Sequence, residues 1–283
     1  MAGNFFHLWL AHQAQARLPG ESSGQAARSR AAFLAGSVAP DIGFFPRGPR
    51  PFSERVHCER SGAFLRALLA EAQDRVERAF AEGWALHVYT DLFFHPLINA
   101  QVAALLRQSR PGADPDLWHL RLEWGLDCLL LEAEDKGFLW EVPLCVPLRP
   151  DGTSLLGLVG RRFYGEDARE ALLRQGVDSL CRWIGRLPRI FLWTGSTRPP
   201  RQPAGAAGRW AGGLLRTLAG SRLDGVARWR EVAAAIRPWR PDPEVVEEAR
   251  RRGERALGAF AVGLAAQFAA LPDLDLQVGG ELP

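Results

Sequence analysis

The stretch GWALHVYTDLFFHP, Gly83 to Pro96, carries His87, Asp91 and His95 at steps of four through a run that is otherwise apolar. On a helix, positions i, i+4 and i+8 project in nearly one direction. The chain must therefore bury three ligand-type side chains in one line, and each buried polar group costs free energy unless it is partnered. A metal held by His87 and Asp91, with His95 serving a neighbouring ion one turn along, meets that demand. A lone histidine on such a face is ordinarily a hydrogen-bonded core residue.

The same device recurs in HLRLEWGLD, where His119 and Glu123 stand at i and i+4 and Asp127 follows one turn later. Of the six histidines, His7 heads the first predicted helix and His57 lies in VHCE, so that only His12 falls outside the pattern. Asp41 follows a proline in GSVAPDIG, where the backbone is extended and a carboxylate can turn inward. A shared metal centre accounts for this set of imidazoles and carboxylates. The mixture of nitrogen and oxygen ligands suits zinc first, with manganese or iron as substitutes. Cys58, Cys128, Cys145 and Cys181 form no CxxC pair, which argues against a thiolate site.

Apolar residues at three- and four-residue steps predict helices over 5–18, 25–38, 53–72, 76–94, 97–108, 116–134, 166–184 and 243–271. The expectation is an all-α multi-helix bundle. The segment 138–148, with two prolines, reads as an extended stretch or edge hairpin. Residues 40–54 are rich enough in Pro and Gly to predict a loop. A second such stretch, 194–213, has the composition of a connector. It lies within a C-terminal helical extension, 151–283, that follows a metal-binding catalytic domain, 1–150.

Composition adds the charge distribution. Residues 182–240 hold twelve arginines against Asp224 and Glu231, so this segment carries about +10 in a chain of net charge +3, together with five of the ten tryptophans. Arginine and tryptophan together fit peripheral contact with an anionic membrane surface, nucleic acid or another protein. The alternative is a tryptophan core with an arginine rim. No run of about 18 apolar residues predicts a membrane span. The N-terminal MAGNFFHLWLAHQ has no basic region ahead of its apolar patch, so a cytoplasmic protein is expected.

In order along the chain, His7, FLAGSVAPD ending at Asp41, His57, HVYTDLFFHP and HLRLE resemble the zinc-dependent phospholipase C family, whose fold is shared by certain single-strand-specific nucleases. The resemblance covers about the first 125 residues. It implies two or three zinc ions. Asp41, His57, His87 and Asp91 would hold one, and His95, His119 and Glu123 a second. His7, a bridging Asp91 and the N-terminal backbone would hold a third. In secreted members a processed N-terminal tryptophan completes that last site, and no cleavage signal is read here.

The resemblance further implies phosphodiester hydrolysis by activated water on a phospholipid or related substrate. Asp41 is the candidate general base, or else a ligand only. Beyond Asp41, the loop residues Phe44, Phe45 and Arg47 are candidates for substrate contact, an arginine for phosphate and phenylalanines for a lipid chain or a base; the same loop could simply cap the core. A nuclease or nucleotidase is the alternative within the fold, nucleic acid then being the partner. A metal-stabilised scaffold without catalysis is the alternative outside it.

Overall fold

The structure, a computed structural model, describes residues 3–17, 24–109, 112–133, 144–186 and 241–279. Nine α-helices are among them: α1 (Asn4–Arg17), α2 (Gly24–Val38), α3 (Arg50–Cys58), α4 (Ser61–Glu71), α5 (Arg75–Gln108), α6 (Pro115–Ala133), α7 (Leu155–Tyr164), α8 (Glu170–Ile184) and α9 (Pro243–Ala265). Short 3₁₀ turns at Ala39–Phe44 and Gly165–Ala168 follow α2 and α7. There is no strand among the described residues, so the protein is all-α as the periodicity predicts. In the described part of 138–148, residues 144–148, the chain has no regular element beyond an isolated antiparallel bridge between Leu148 and Ser154. The connector 194–213, and the basic segment beyond Arg186, lie outside the described residues. No described helix is long and apolar enough to cross a membrane.

Helix α5 is the axis of the fold. It has 34 residues, so it runs about 50 Å at 1.5 Å per residue. Asp74 caps its start by accepting from the amides of Val76 and Glu77, both at 2.8 Å. The predicted break at Pro96 is absent: α5 continues through the proline. Burial of Phe94, Leu97, Ile98 and Val102 against the core offsets the roughly 3 kcal/mol that an interior proline costs a helix. The helix predicted over 53–72 is instead two, because Arg60 adopts a left-handed backbone (φ 55°) between α3 and α4.

Helix α2 packs along α5 with the backbones nearly touching. A Cβ at Gly36 would lie 2.0 Å from the Phe80 carbonyl oxygen, and one at Gly83 would lie 2.0 Å from that of Phe33. Only glycine fits both positions. This approach matters because the end of α2 leads directly into the 3₁₀ turn that carries Asp41. The turn and α3 occupy much of the stretch predicted to be a loop; Pro40 and Pro51 sit in first turns, where the missing N–H loses no bond. Helix α9 covers the other side of α5 through Phe260, which meets Tyr89 edge-on.

Candidate metal centre

His87, Asp91 and His95 are all buried on α5, as are His7 on α1, Asp41 on the 3₁₀ turn, His57 at the end of α3 and Glu123 on α6; His119 is partly exposed. All eight candidate ligands thus enter one region from five elements. Asp91 stands at its middle. Its Oδ2 is 3.1 Å from His87 Nε2 and 3.4 Å from His57 Nε2. Its Oδ1 is 3.2 Å from His7 Nε2 and 3.8 Å from His95 Nε2.

The rings are aimed from behind. His57 Nδ1 donates to the Ser53 carbonyl at 2.6 Å, and His87 Nδ1 donates to the Ser37 carbonyl at 3.0 Å. His95 Nδ1 donates to the Leu276 carbonyl. Each bond places the proton on Nδ1 of the neutral ring and leaves the Nε2 lone pair facing inward, the arrangement that orients metal-bound histidines. His57 Nε2 and His87 Nε2 then lie 3.1 Å apart, and His57 Nε2 is 3.3 Å from Asp41 Oδ1. Tetrahedral ligands about 2.0–2.1 Å from a zinc ion are ~3.3 Å from one another, so these spacings fit the edges of such a site.

The buried oxygens of Asp41 and Asp91, both ring nitrogens of His7 and Nε2 of His95 make no hydrogen bond. Several of them nevertheless lie within 3.2–3.8 Å of one another. Buried polar atoms are normally satisfied, so this concentration fits cation ligation. Three groups have ligand atoms within 4.8 Å of one another: Asp41, His57 and His87; His7, His87 and Asp91; and His95, His119 and Glu123. In the last, His119 Nε2 is 2.7 Å from Glu123 Oε1, and His95 Nε2 is 3.6 Å from it.

Without a metal, protons hold these groups together. Burial pulls the His57 imidazolium down, but the Asp41 and Asp91 carboxylates reverse this and raise its pKa to about 10. Burial pushes the carboxyls of Asp41 and Asp91 up, and the surrounding histidines outweigh it, leaving Asp41 lowered and Asp91 well below the usual range. Glu123 is likewise brought to about 2 against burial, chiefly by His119. His95 is raised: burial opposes it, and Asp91 and Glu123 prevail. His7 behaves differently, because burial and then His87 lower it in spite of Asp91, which keeps it the neutral imidazole that a metal requires.

A model of the zinc-dependent phospholipase C family matches residues 6–149, a span that contains all eight of these side chains. The chain belongs to the zinc-dependent phospholipase C family. No curated protein and no solved structure matches it. The matched segment includes every side chain that the geometry brings together at this place.

Among the substrate candidates of this family member, Phe44 is half-buried with its ring 5.6 Å from that of His57. Phe45 is 6% exposed and packs in the core. Arg47 is exposed, with a left-handed backbone (φ 65°). Asp127 takes a role that its spacing does not reveal. It is buried and accepts from the amides of Phe5 at 3.3 Å and Phe6 at 3.0 Å, capping α1 one turn before His7. The sequence also gives no sign of Ser37 and Leu276, which act through backbone carbonyls.

Proposed function

We propose that this chain is a zinc-dependent phosphodiester hydrolase of phospholipase C type acting on a phospholipid or related phosphodiester. The observation that carries the proposal is the Asp91 carboxylate, whose two buried oxygens face different histidine pairs, His57 with His87 and His7 with His95, and make no hydrogen bond. Asp41, His57, His87 and Asp91 would hold one ion, and His95, His119 and Glu123 a second. His7 and Asp91 would contribute to a third. When bound, zinc lowers the pKa of water toward neutrality and offsets charge on phosphate oxygens.

The chain's own groups supply the rest. Asp41, with both oxygens buried and without hydrogen bonds, would accept the proton of the water that attacks phosphorus, while the P–O bond to the departing alcohol breaks and that oxygen takes a proton from solvent. The Ser53, Ser37 and Leu276 carbonyls hold the three imidazoles in one tautomer throughout. The Phe44 ring beside His57 supplies an apolar wall that excludes water. Arg47, exposed beyond it, can meet the phosphate or headgroup of an approaching substrate.

The test is zinc per chain by elemental mass spectrometry on untagged protein, with hydrolysis of phosphatidylcholine vesicles and of single-stranded oligonucleotide compared in parallel. Two or three zinc ions with chelator-reversible release of phosphocholine support the proposal. Zinc with cleavage of the oligonucleotide alone would assign the nuclease branch. Zinc without either activity would leave a metal-stabilised scaffold.

A further inference from the structure

Residues 271–279 lie far outside the matched family segment, yet they reach the metal cluster. We propose that this C-terminal segment is a positioning arm for the second cluster, holding His95 through the Leu276 peptide so that Nε2 faces Asp91 and Glu123. The proposal rests on the metal-binding reading above.

Leu276 is buried and bonds in two directions. Its amide donates to the His57 carbonyl at 2.7 Å, and its carbonyl accepts from His95 Nδ1. One residue therefore ties the backbone of a first-cluster ligand on α3 to the ring of a second-cluster ligand on α5. Rotation of the His95 ring, or a change of its tautomer, would break the bond to Leu276. The opposite nitrogen, 3.6 Å from Glu123 Oε1, would move with it.

The arm is fastened on both sides. On α4, Ser61 Oγ donates to the Leu274 carbonyl at 2.8 Å and accepts from the Leu274 amide at 3.0 Å. Asp273 Oδ1 accepts from the Ala63 amide at 2.7 Å, and the Arg66 guanidinium donates to the Leu271 carbonyl. On α5, Asn99 Nδ2 donates to the Gln277 carbonyl at 2.8 Å. The fit is close: a Cβ on Gly62 would lie 2.3 Å from the Pro272 carbonyl oxygen. Gly279, with φ 71°, closes over Pro96, where a Cβ would come within 2.4 Å of the proline ring. Pro96 directly follows His95, so the arm covers the helix where the proline removes an N–H.

The experiment uses the full-length chain. Gly279→Val disturbs the end of the arm, and Ser61→Ala unfastens its middle without touching a ligand. Ser61→Thr keeps the hydroxyl and serves as the conservative rescue. Leu173→Ala, in α8, matches the loss of thermal stability without touching the arm. Zinc affinity is measured by chelator competition, and the His95 tautomer by long-range proton–nitrogen NMR of zinc-loaded, ¹⁵N-histidine-labelled protein.

The expected result is a second-cluster affinity weakened about 10–100-fold in Gly279→Val and Ser61→Ala, with altered His95 nitrogen shifts and first-cluster zinc retained. Ser61→Thr should restore both, and Leu173→Ala should change neither. Arm variants with unchanged second-cluster affinity and His95 shifts, beside a wild type that holds zinc, would overturn the arm alone. Equal loss in Leu173→Ala would do the same. A wild type that binds no zinc would overturn the metal reading and the arm with it.

Discussion

The carboxylate of Asp91 has Oδ2 turned to His57 and His87 and Oδ1 turned to His7 and His95, while Glu123 faces His95 and His119. Asp91→Asn should therefore weaken more than one zinc site together, and Glu123→Gln should weaken one. Stepwise zinc titration distinguishes them, and identical losses would count against a bridging role. The protonation pattern gives a second prediction at this scale. His57 has a folded pKa of about 10 against an ordinary 6.5, so its stabilisation is fully present below pH 6.5 and is lost as pH rises through 10. Asp127, raised by burial, acts in the same direction. Asp41, Asp91 and Glu123 have the opposite sign: their contribution is present above about pH 4 and lost as pH falls through their lowered values. Metal-free protein should melt at lower temperature as pH rises from 6.5 to 10. Zinc affinity should climb over the same window, since zinc competes with the His57 proton. A metal-free melting temperature that rises with pH in that window would show that His57 is not held as an imidazolium.

At the scale of the element, the α2–α5 contact decides whether Ser37 and Asp41 arrive at the site. Gly83→Ala places a methyl against the Phe33 carbonyl and should destabilise the fold by about 1–3 kcal/mol in urea unfolding. It should also weaken zinc, because the Ser37 carbonyl withdraws from His87. Gly258→Ala is the contrasting case: at an exposed position of α9, with nothing within 4 Å of the added Cβ, it should stabilise by about 0.5–1 kcal/mol. A Gly83→Ala chain as stable as wild type would mean that the two helices can separate freely. The same scale shows where sequence patterning succeeds and where it stops. The lines His87–Asp91–His95 and His119–Glu123 are visible because a helix repeats its face every three to four residues. Pro96 suggests a break because local propensity is blind to the burial of Phe94 and Ile98. Helix α7 escapes the pattern because Gly157 and Gly160 look like punctuation. In the structure Gly160 lets α7 lie close to Ala168, and Ser154 caps the helix through the Gly157 amide at 2.9 Å.

Across the whole molecule, residues from both ends of the described chain meet at one place. Asp127 anchors the start of α1 beneath His7, and residues 271–279 return to hold His95 and the backbone of His57. The side chains of the site are legible in the sequence because ligand chemistry needs particular residue types. The carbonyls behind them are not, since any residue supplies one and Leu276 lies 181 positions from His95. The central claim is that buried side chains on both sides of Asp91 hold metal ions. Its most direct test is a crystal structure of the untagged protein with anomalous difference maps at the zinc edge. The account predicts one zinc among Asp41, His57, His87 and Asp91, and another among His95, His119 and Glu123. Maps without zinc at either place, from protein crystallised with zinc present, would contradict it.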